Sequence, residues 1–329
     1  VLDEVTLDDD SYFARQVIAG AYAMTELAFS ERLKLLVGSR FEFGRQSVET
    51  FRSPRVNDQV NSSADLNTFD VLPALTLSWE VLDDVILRAA ASRTVARPNF
   101  RELSPAVFRD LQGTIEYQGN PELNRTVLTS GDIRAEWYPT PGESLSASLF
   151  YKHFTDPVEQ RIESGARNRF IPINIPSAQN FGAELELRKN FGFAADALES
   201  LYVASNLTFV YSQVSLSSLD PMLLGVLTSE QRPLAGQSPY AVNVQLGWDD
   251  IENDTSVTLL YNVFGPRIVA LGSNEVPDAY ERPFHRLDLV ARQKFGRFQF
   301  SARAANLIDP NVRWKQGDIT VRRIRRGRL

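Results

Sequence analysis

Apolar and polar residues alternate along much of the chain, as the stretch from Arg32 to Phe43 illustrates. Leu33 and Leu35 are apolar, whereas Arg32 and Lys34 are charged. Successive side chains of a β-strand point to opposite faces, so this stretch is predicted to form a strand with one apolar and one charged face.

The same alternation recurs in twelve segments, many of them ten or more residues long. These segments begin near Arg15, Leu33, Leu72, Val85, Thr129, Ser144, Phe181, Leu201, Tyr240, Thr255, His285 and Phe298. A thirteenth segment begins near Ile319. The pattern predicts an all-β chain of antiparallel, up-and-down strands.

The links between the segments alternate in length. Short links lie at residues 30–32, 83–84, 139–143, 249–254 and 295–297. Long links lie at residues 44–67, 97–125, 155–180, 213–238 and 265–284. Short turns on one rim and long loops on the other are typical of outer-membrane β-barrels, whose short turns face the periplasm.

Aromatic residues mark the short-link ends of the segments. They are Phe29, Trp79, Trp137, Tyr138, Phe191, Trp248 and Phe295. Aromatic residues also end strands in soluble β proteins. Three of the four tryptophans share this position, however, and tryptophan and tyrosine prefer the membrane–water interface, so we favour an aromatic girdle.

Composition excludes several classes of function. The 329 residues include no cysteine and two histidines, His153 and His285, so thiolate metal sites are excluded and little remains for a zinc site or a histidine triad. The net charge of −6 argues against general nucleic-acid binding. No apolar run approaches the length of a membrane-spanning helix, but a barrel strand needs only about 9–11 residues with every second one apolar.

A soluble β-sandwich would alternate in the same way, with its apolar face packed inward. Two features favour a membrane barrel instead. The segments are longer than typical soluble strands, and their polar faces carry charges of both signs, such as Arg134, Glu136, Glu184 and Arg292. A water-filled interior accepts such charges.

Several phrases resemble TonB-dependent outer-membrane receptors, and they occur in the same order over nearly the whole chain. They are SRTVARPNFREL at 92–103, GNPEL at 119–123, EWYPTPGE at 136–143, SLFYK at 148–152, NFGAELE at 180–186, RPLAGQSPY at 232–240, LYNVFG at 260–265 and ANLIDP at 305–310. The resemblance implies a transmembrane barrel of about 22 strands, of which this chain would supply about twelve or thirteen.

The resemblance also sets expectations for organisation and partners. Residues 1–329 are expected to be part of a barrel domain, truncated at both ends, without the plug domain, the first strands and the closing strand. The expected function is energy-coupled uptake of a scarce nutrient, either an iron chelate or a glycan, in the bacterial outer membrane. Expected partners are outer-membrane lipid and lipopolysaccharide, the plug, the TonB energy-coupling protein and the substrate, with no nucleic acid and no cofactor.

Two other functions stay open at this point. A passive outer-membrane channel would lack an energy-coupling motif, and a soluble β-rich binding module would stay in solution without detergent. We find no catalytic motif. Glu184 and Glu186 share one face of a segment, but nothing else supports a glycosidase.

Candidate binding residues come from the long links, because loops carry binding functions more often than strands do. The candidates for substrate contact are Arg101, Glu102, Arg109, Arg161, Arg167, Arg169 and Arg267. The acidic run from Asp8 to Asp10 suits calcium chemically, but a solvated loop is the simpler interpretation. The arginine-rich stretch from Arg322 to Arg328 is expected to meet lipopolysaccharide phosphates or the barrel interior rather than nucleic acid.

Overall fold

A computed structural model describes residues 11–51, 62–109, 115–163, 168–216, 227–229, 231–272 and 276–325. Its strands are β1 (Ser11–Ala28), β2 (Leu33–Phe51), β3 (Ser62–Leu82), β4 (Val85–Ala96), β5 (Val107–Arg109), β6 (Ile115–Gln118), β7 (Thr126–Trp137), β8 (Ser144–Thr155), β9 (Val158–Glu163), β10 (Asn168–Asn174), β11 (Ser177–Asn190), β12 (Leu201–Ser215), β13 (Tyr240–Asp250), β14 (Thr255–Phe264), β15 (Arg267–Ala270), β16 (Ala279–Glu281), β17 (Phe284–Phe295), β18 (Phe298–Ala304), β19 (Asn311–Gln316) and β20 (Ile319–Arg325). A single turn of α-helix, α1 (Phe100–Leu103), and a short 3₁₀ helix at Asp196–Leu198 are its helices within these ranges. No helix in the described ranges is long and apolar enough to cross a membrane.

Twelve long strands form one antiparallel sheet in the order β1-β2-β3-β4-β7-β8-β11-β12-β13-β14-β17-β18. These are the twelve predicted segments, and the predicted up-and-down order is confirmed. Within the described residues the sheet does not close on itself, because β1 pairs only with β2 and β18 only with β17.

The strands are strongly staggered. One row of mutually paired residues runs through Leu27, Leu35, Leu77, Ala89, Ile133, Leu149, Ala183, Phe209 and Tyr240. It starts at the short-link end of β1 and finishes at the long-loop end of β13, about 38 Å away at the usual spacing between strands. In a barrel whose strands are tilted, the height gained along this row is its length times the sine of the tilt, and the height gained along a strand is its length times the cosine. Ten residues along one strand cover about 33 Å, so the two heights are equal at a tilt of about 40°. Barrel strands tilt by this amount.

The two faces of the sheet differ as the alternation predicts. On β3, Phe69, Val71, Leu75 and Trp79 point outward, with Phe69 64% exposed and Trp79 47% exposed. We call this the outer face, and the opposite, polar face the inner face. The large apolar side chains of the outer face are therefore not sealed between two stacked sheets, which excludes the sandwich interpretation.

The predicted aromatic residues lie at the short-link rim. Phe29, Trp79, Trp137, Tyr138, Trp248 and Phe295 are exposed there, and Phe191 is half-buried. The indole Nε1 of Trp137 donates to Asp84 at 2.9 Å in the neighbouring turn. The rings lie against the outside while this polar edge faces the turn.

The long loops contain two further four-stranded sheets. One has the order β5-β6-β10-β9 and the other β15-β16-β19-β20. The predicted thirteenth segment begins at Ile319 as expected, but it pairs with β19 rather than extending the long sheet. A tight turn through Gly317, at φ +58°, folds β20 back onto β19.

The buried apolar core lies between these loop sheets and the inner face, at the long-loop end. Val48 of β2 and Ala64 of β3 pack against Leu103 and Leu123 of the loop between β4 and β7. A second cluster joins three loops around Ile175, Leu216, Leu227, Ile268 and Leu271. Apolar burial thus holds the loops inside the long-loop rim.

Two glycines on the inner face are covered by aromatic rings from the paired strand. Gly182 pairs with Phe150, and Gly247 pairs with Tyr202. A Cβ atom at either glycine would overlap the ring. The Tyr202 ring also lies under the guanidinium of Arg188 at 4.1 Å, and its hydroxyl accepts a hydrogen bond from Gln245 at 2.6 Å.

Candidate functional site

The first candidate surface forms where the chain leaves β4 and enters the loop toward β7. Pro98 cannot continue the ladder, and Asn99 then caps α1. The Asn99 side chain accepts from the Glu102 N–H at 2.9 Å, and the Glu102 carboxylate accepts from the Asn99 N–H at 2.9 Å. This reciprocal cap fixes the direction in which Arg101 points.

Arg101 lies over two aromatic rings. Its guanidinium carbon is 4.4 Å from the ring centre of Phe108 and 5.2 Å from that of Tyr117. Tyr117 in turn stacks on Phe170 with 5.3 Å between ring centres. The cation–π contacts hold the guanidinium in place, and a cavity of about 170 Å³ opens beside it.

Glu116 joins two more of the predicted arginines. Its buried carboxylate accepts from Arg109 at 3.3 Å and from Arg169 at 3.2 Å, and Arg169 also donates to Gln118 at 3.0 Å. Two guanidinium groups thus share this one carboxylate. Such a surface favours an anionic or electron-rich ligand.

The remaining predicted residues lie apart from this surface or outside the described residues. Arg161 of β9 lies 3.8 Å from Glu163. Arg267 of β15 pairs with Glu281 at 2.6 Å and lies over the Phe264 ring. Arg167 lies outside the described residues, as does the acidic run at residues 8–10.

The sequence did not indicate the residues that surround these arginines, namely the aromatic Tyr117 and Phe170 and the acidic Glu116. Tyr117 and Phe170 lie 53 residues apart and meet only because β6 pairs with β10 in parallel. The sequence contained one indication that the two loop segments meet, namely Gly119 of the GNPEL phrase. A Cβ at Gly119 would lie 2.6 Å from the carbonyl oxygens of Arg101 and Glu102, so only glycine lets the two loop segments approach this closely.

A second candidate surface is the inner face of β11 to β17. One paired row carries Glu186, Asn206, Asn243, Asn262 and Arg286. The Asn262 amide donates to Asn243 at 2.7 Å, and Asn206 donates to Glu186 at 3.3 Å. A depression of about 520 Å³ lies over this polar row.

Ion pairs continue the polar surface on both sides. Arg134 pairs with Glu186 at 2.5 Å and with Glu136 at 2.8 Å. Asp288 pairs with Arg286 at 2.8 Å and with Arg303 at 2.7 Å. These charges of opposite sign are therefore paired with one another on the inner face.

A third cluster, made of charged side chains, joins β2 and β3 to the residues that follow β4 and precede β7. The buried Asp70 accepts from Arg97 at 2.8 Å and from Arg125 at 2.5 Å, and Arg97 also reaches Glu42 at 3.0 Å. These contacts hold the entrance and the exit of the loop between β4 and β7 against β3. They position α1 and its arginine.

Two groups outside the long sheet have shifted acidities. Burial raises the pKa of the Tyr280 hydroxyl, and the nearby Asp278 carboxylate raises it further. Lys189, whose Nζ is 2.7 Å from Glu143, holds the pKa of that carboxyl below its usual value.

Arg322 of β20, which belongs to the arginine-rich stretch of the sequence, lies over the Trp314 ring at 4.8 Å and so packs within its own sheet.

Comparisons with known proteins agree with this architecture. The family model for TonB-dependent receptor-like β-barrels matches residues 3–307. Similar solved structures include the ferric yersiniabactin uptake receptor FyuA from Yersinia pestis, at 15% identity and a TM-score of 0.63, and the siderophore receptor PiuA from Acinetobacter baumannii, at 10% and 0.64. The copper transporter OprC aligns at 19% identity with a TM-score of 0.62.

These three alignments cover 91–92% of this chain but only 40–43% of the solved chains. The chain thus spans less than half the length of these relatives. No curated protein sequence matches it. At identities below 20% these solved structures establish the fold.

Proposed function

The chain belongs to the TonB-dependent receptor-like β-barrel family, and from that premise we propose that it forms the C-terminal part of the barrel wall of an outer-membrane transporter. The transporter takes up a scarce nutrient, an iron chelate or a glycan, with energy supplied through the TonB protein. The family consists of receptors and transporters rather than enzymes, and we assign no catalytic step to this chain.

One observation carries the proposal: a continuous apolar band on the outer face of the sheet. On β3 the band runs from Phe69 to Trp79, which at a tilt of about 40° gives a height of about 25 Å. This is the height of the apolar band of outer-membrane barrels. In this orientation the short links face the periplasm and the long loops face outward.

The polar inner face suits the partners that the family implies. Charged and amide groups such as Glu186, Asn243 and Arg286 offer hydrogen bonds to a plug domain enclosed by the wall. Exposed arginines of the outward loops suit lipopolysaccharide phosphate. Energy coupling to TonB would act through the plug rather than through this part of the wall.

We propose that the surface around Arg101 contacts the substrate. It combines a guanidinium held on aromatic rings with Arg109 and Arg169 around one carboxylate. Chelates with carboxylate or phenolate oxygens match this surface better than neutral glycans do, because guanidinium groups form charge-assisted hydrogen bonds to such oxygens. The other predicted arginines, including Arg161 and Arg267, remain candidates for contact.

The test measures uptake by cells that express the full-length protein. Cells receive radioactive iron on a panel of chelates of different charge, or fluorescent oligosaccharides, with and without a protonophore. We expect protonophore-sensitive uptake of one anionic chelate, and at least tenfold weaker binding of it by Arg101→Ala. Arg32→Ala, in a short link at the opposite rim, is the control and should behave as wild type.

Other results would replace the proposal. Uptake that ignores the protonophore would indicate a passive channel. Recovery of the protein in the soluble fraction without detergent would indicate a soluble binding module. Oligosaccharide uptake that Arg101→Ala leaves unchanged would assign the substrate to the glycan class and move the contact surface elsewhere.

A further inference from the structure

The RPLAGQSPY phrase at residues 232–240 forms a short connecting segment with almost no regular structure of its own. We call Arg232 to Tyr240 the strap. Two hydrogen bonds join it to β12: the Val214 N–H donates to the Arg232 carbonyl at 3.1 Å, and the Leu234 N–H donates to Ser212 Oγ at 3.0 Å. The Gly236 N–H donates to the Ile268 carbonyl of β15 at 2.7 Å. Asn180 Nδ2 of β11 donates to Gln237 Oε1 at 2.8 Å. The strap thus contacts β11, β12 and β15 within a few residues.

The strap is anchored by the most deeply buried ion pair of the described residues. The two terminal guanidinium nitrogens of Arg232, Nη1 and Nη2, donate to Glu159 of β9 at 2.9 and 2.6 Å. The two side chains are 2% and 1% exposed. Glu159 also accepts from the Ala235 N–H at 2.6 Å, so one carboxylate fixes both ends of a strap segment.

A second set of contacts connects β9 to the loop after β14. The Ile162 N–H donates to the Leu271 carbonyl at 2.9 Å, and the Leu271 N–H donates to the Gln160 carbonyl at 2.9 Å. Ile175, Leu216 and Leu271, from the loops after β8, β12 and β14, share one apolar cluster. The three loops are therefore joined by a buried charge pair, by backbone hydrogen bonds and by apolar burial.

A buried ion pair is a costly way to add stability, because an apolar pair of similar volume often stabilises as well or better. Its particular property is geometry, because a bidentate guanidinium–carboxylate pair restricts the relative orientation of the two side chains. At this place the orientation sets where the strap lies relative to β9.

We propose that the strap, clasped by Arg232 and Glu159, joins β9 and β15 to itself as one cooperative unit at the long-loop end, whose parts lose their structure together. Arg232 and Glu159 are positioning residues that need not touch the substrate. The inference depends on loop contacts alone and stands or falls separately from the transport proposal.

Hydrogen exchange under native conditions tests it on the full-length wild-type protein in detergent, at increasing urea. Peptides from β9, from the strap and from β15 should lose protection with one common urea dependence, because parts of one cooperative unit open together. Three distinct dependences would overturn the proposal, and this readout requires no variant.

Substitution then tests the clasp itself. Glu159→Gln keeps the shape but removes the charge, so exchange in all three segments should rise by about a hundredfold, while β7 and β8 in the long sheet stay protected. Arg232→Lys, which keeps the charge but loses the fork, should raise exchange in the same segments by a smaller factor. Glu163→Gln on the same strand is the matched control, since Glu163 is half exposed and 3.8 Å from its partner Arg161. Faster exchange confined to β9, or none in any segment, would show that the pair does not join the loops.

Discussion

Placing a charge on the outer face of β3 tests the central physical claim, that the apolar band meets lipid. Leu75 lies on this face between Phe69 and Trp79 and is 44% exposed. It is four residues from Trp79, about 13 Å along the strand and about 10 Å above the short-link rim at the inferred tilt. The side chain therefore lies close to the middle of a band about 25 Å high.

Leu75→Arg should destabilise the membrane-inserted barrel by about 2–4 kcal/mol, the usual effect of arginine near the bilayer midplane. This is roughly a 30- to 700-fold change in the unfolding equilibrium. The neighbouring Ala74 is exposed on the inner face. Ala74→Arg should change stability by less than about 1 kcal/mol, because the exposed position on the inner face leaves the charge accessible to water.

The measurement is reversible guanidinium unfolding of the full-length protein in phospholipid vesicles, followed by tryptophan fluorescence. Both variants add the same charge at adjacent positions, so the effect of the added net charge is the same in the two proteins. Equal destabilisation by the two variants would refute the assignment of faces. A larger effect at Ala74 than at Leu75 would place lipid on the other side of the sheet.

Two further predictions concern fixed charges. Asp70→Asn removes the buried carboxylate that Arg97 and Arg125 share and leaves Arg97 with Glu42 alone, so it should lower stability by about 3 kcal/mol. Asp83→Asn, which breaks an ion pair with an almost fully exposed carboxylate, should cost less than about 1 kcal/mol; equal melting temperatures for the two variants would contradict this. The lowered pKa of Glu143 means that its bond to Lys189 stabilises the fold above the ordinary value of about 4.5 and is lost as the pH falls through the lower folded value. The protection factors of the amides in the link at residues 139–143, corrected for the intrinsic exchange rate at each pH, should therefore fall on acidification below about pH 4.5, and Lys189→Met should weaken that pH dependence.

The long sheet could be predicted from the sequence because its physics is local. Alternation and turn residues place the starts of β2, β4 and β8 at Leu33, Val85 and Ser144, where the structure has them. β3 instead begins ten residues before the predicted Leu72. In its first part, beyond the apolar band, polar Asp65 and Asn67 take the outer face and Ala64 packs inward, so the apolar side of the alternation is reversed there and does not continue the later pattern.

The loop sheets could not be predicted in the same way. β6 pairs in parallel with β10, and their partners lie more than fifty residues apart, so no local pattern indicates the pairing. The loop arginines could be named as candidates from their position in the chain. Whether Arg101 meets aromatic rings while Arg267 meets Glu281 depends on this long-range pairing alone.

The glycine–aromatic pairs of the inner face bear on the width of the barrel. A slip of one residue between neighbouring strands is prevented by alternation, since it would turn apolar side chains inward. A slip of two residues keeps every side chain on its proper face, yet it changes the stagger, and stagger together with strand number fixes a barrel's diameter. Only Gly247 leaves room for the Tyr202 ring; two residues along, that ring would meet the side chain of Gln245 or Asp249. Each such pair therefore favours one register, and through the stagger it contributes to the diameter of the closed barrel.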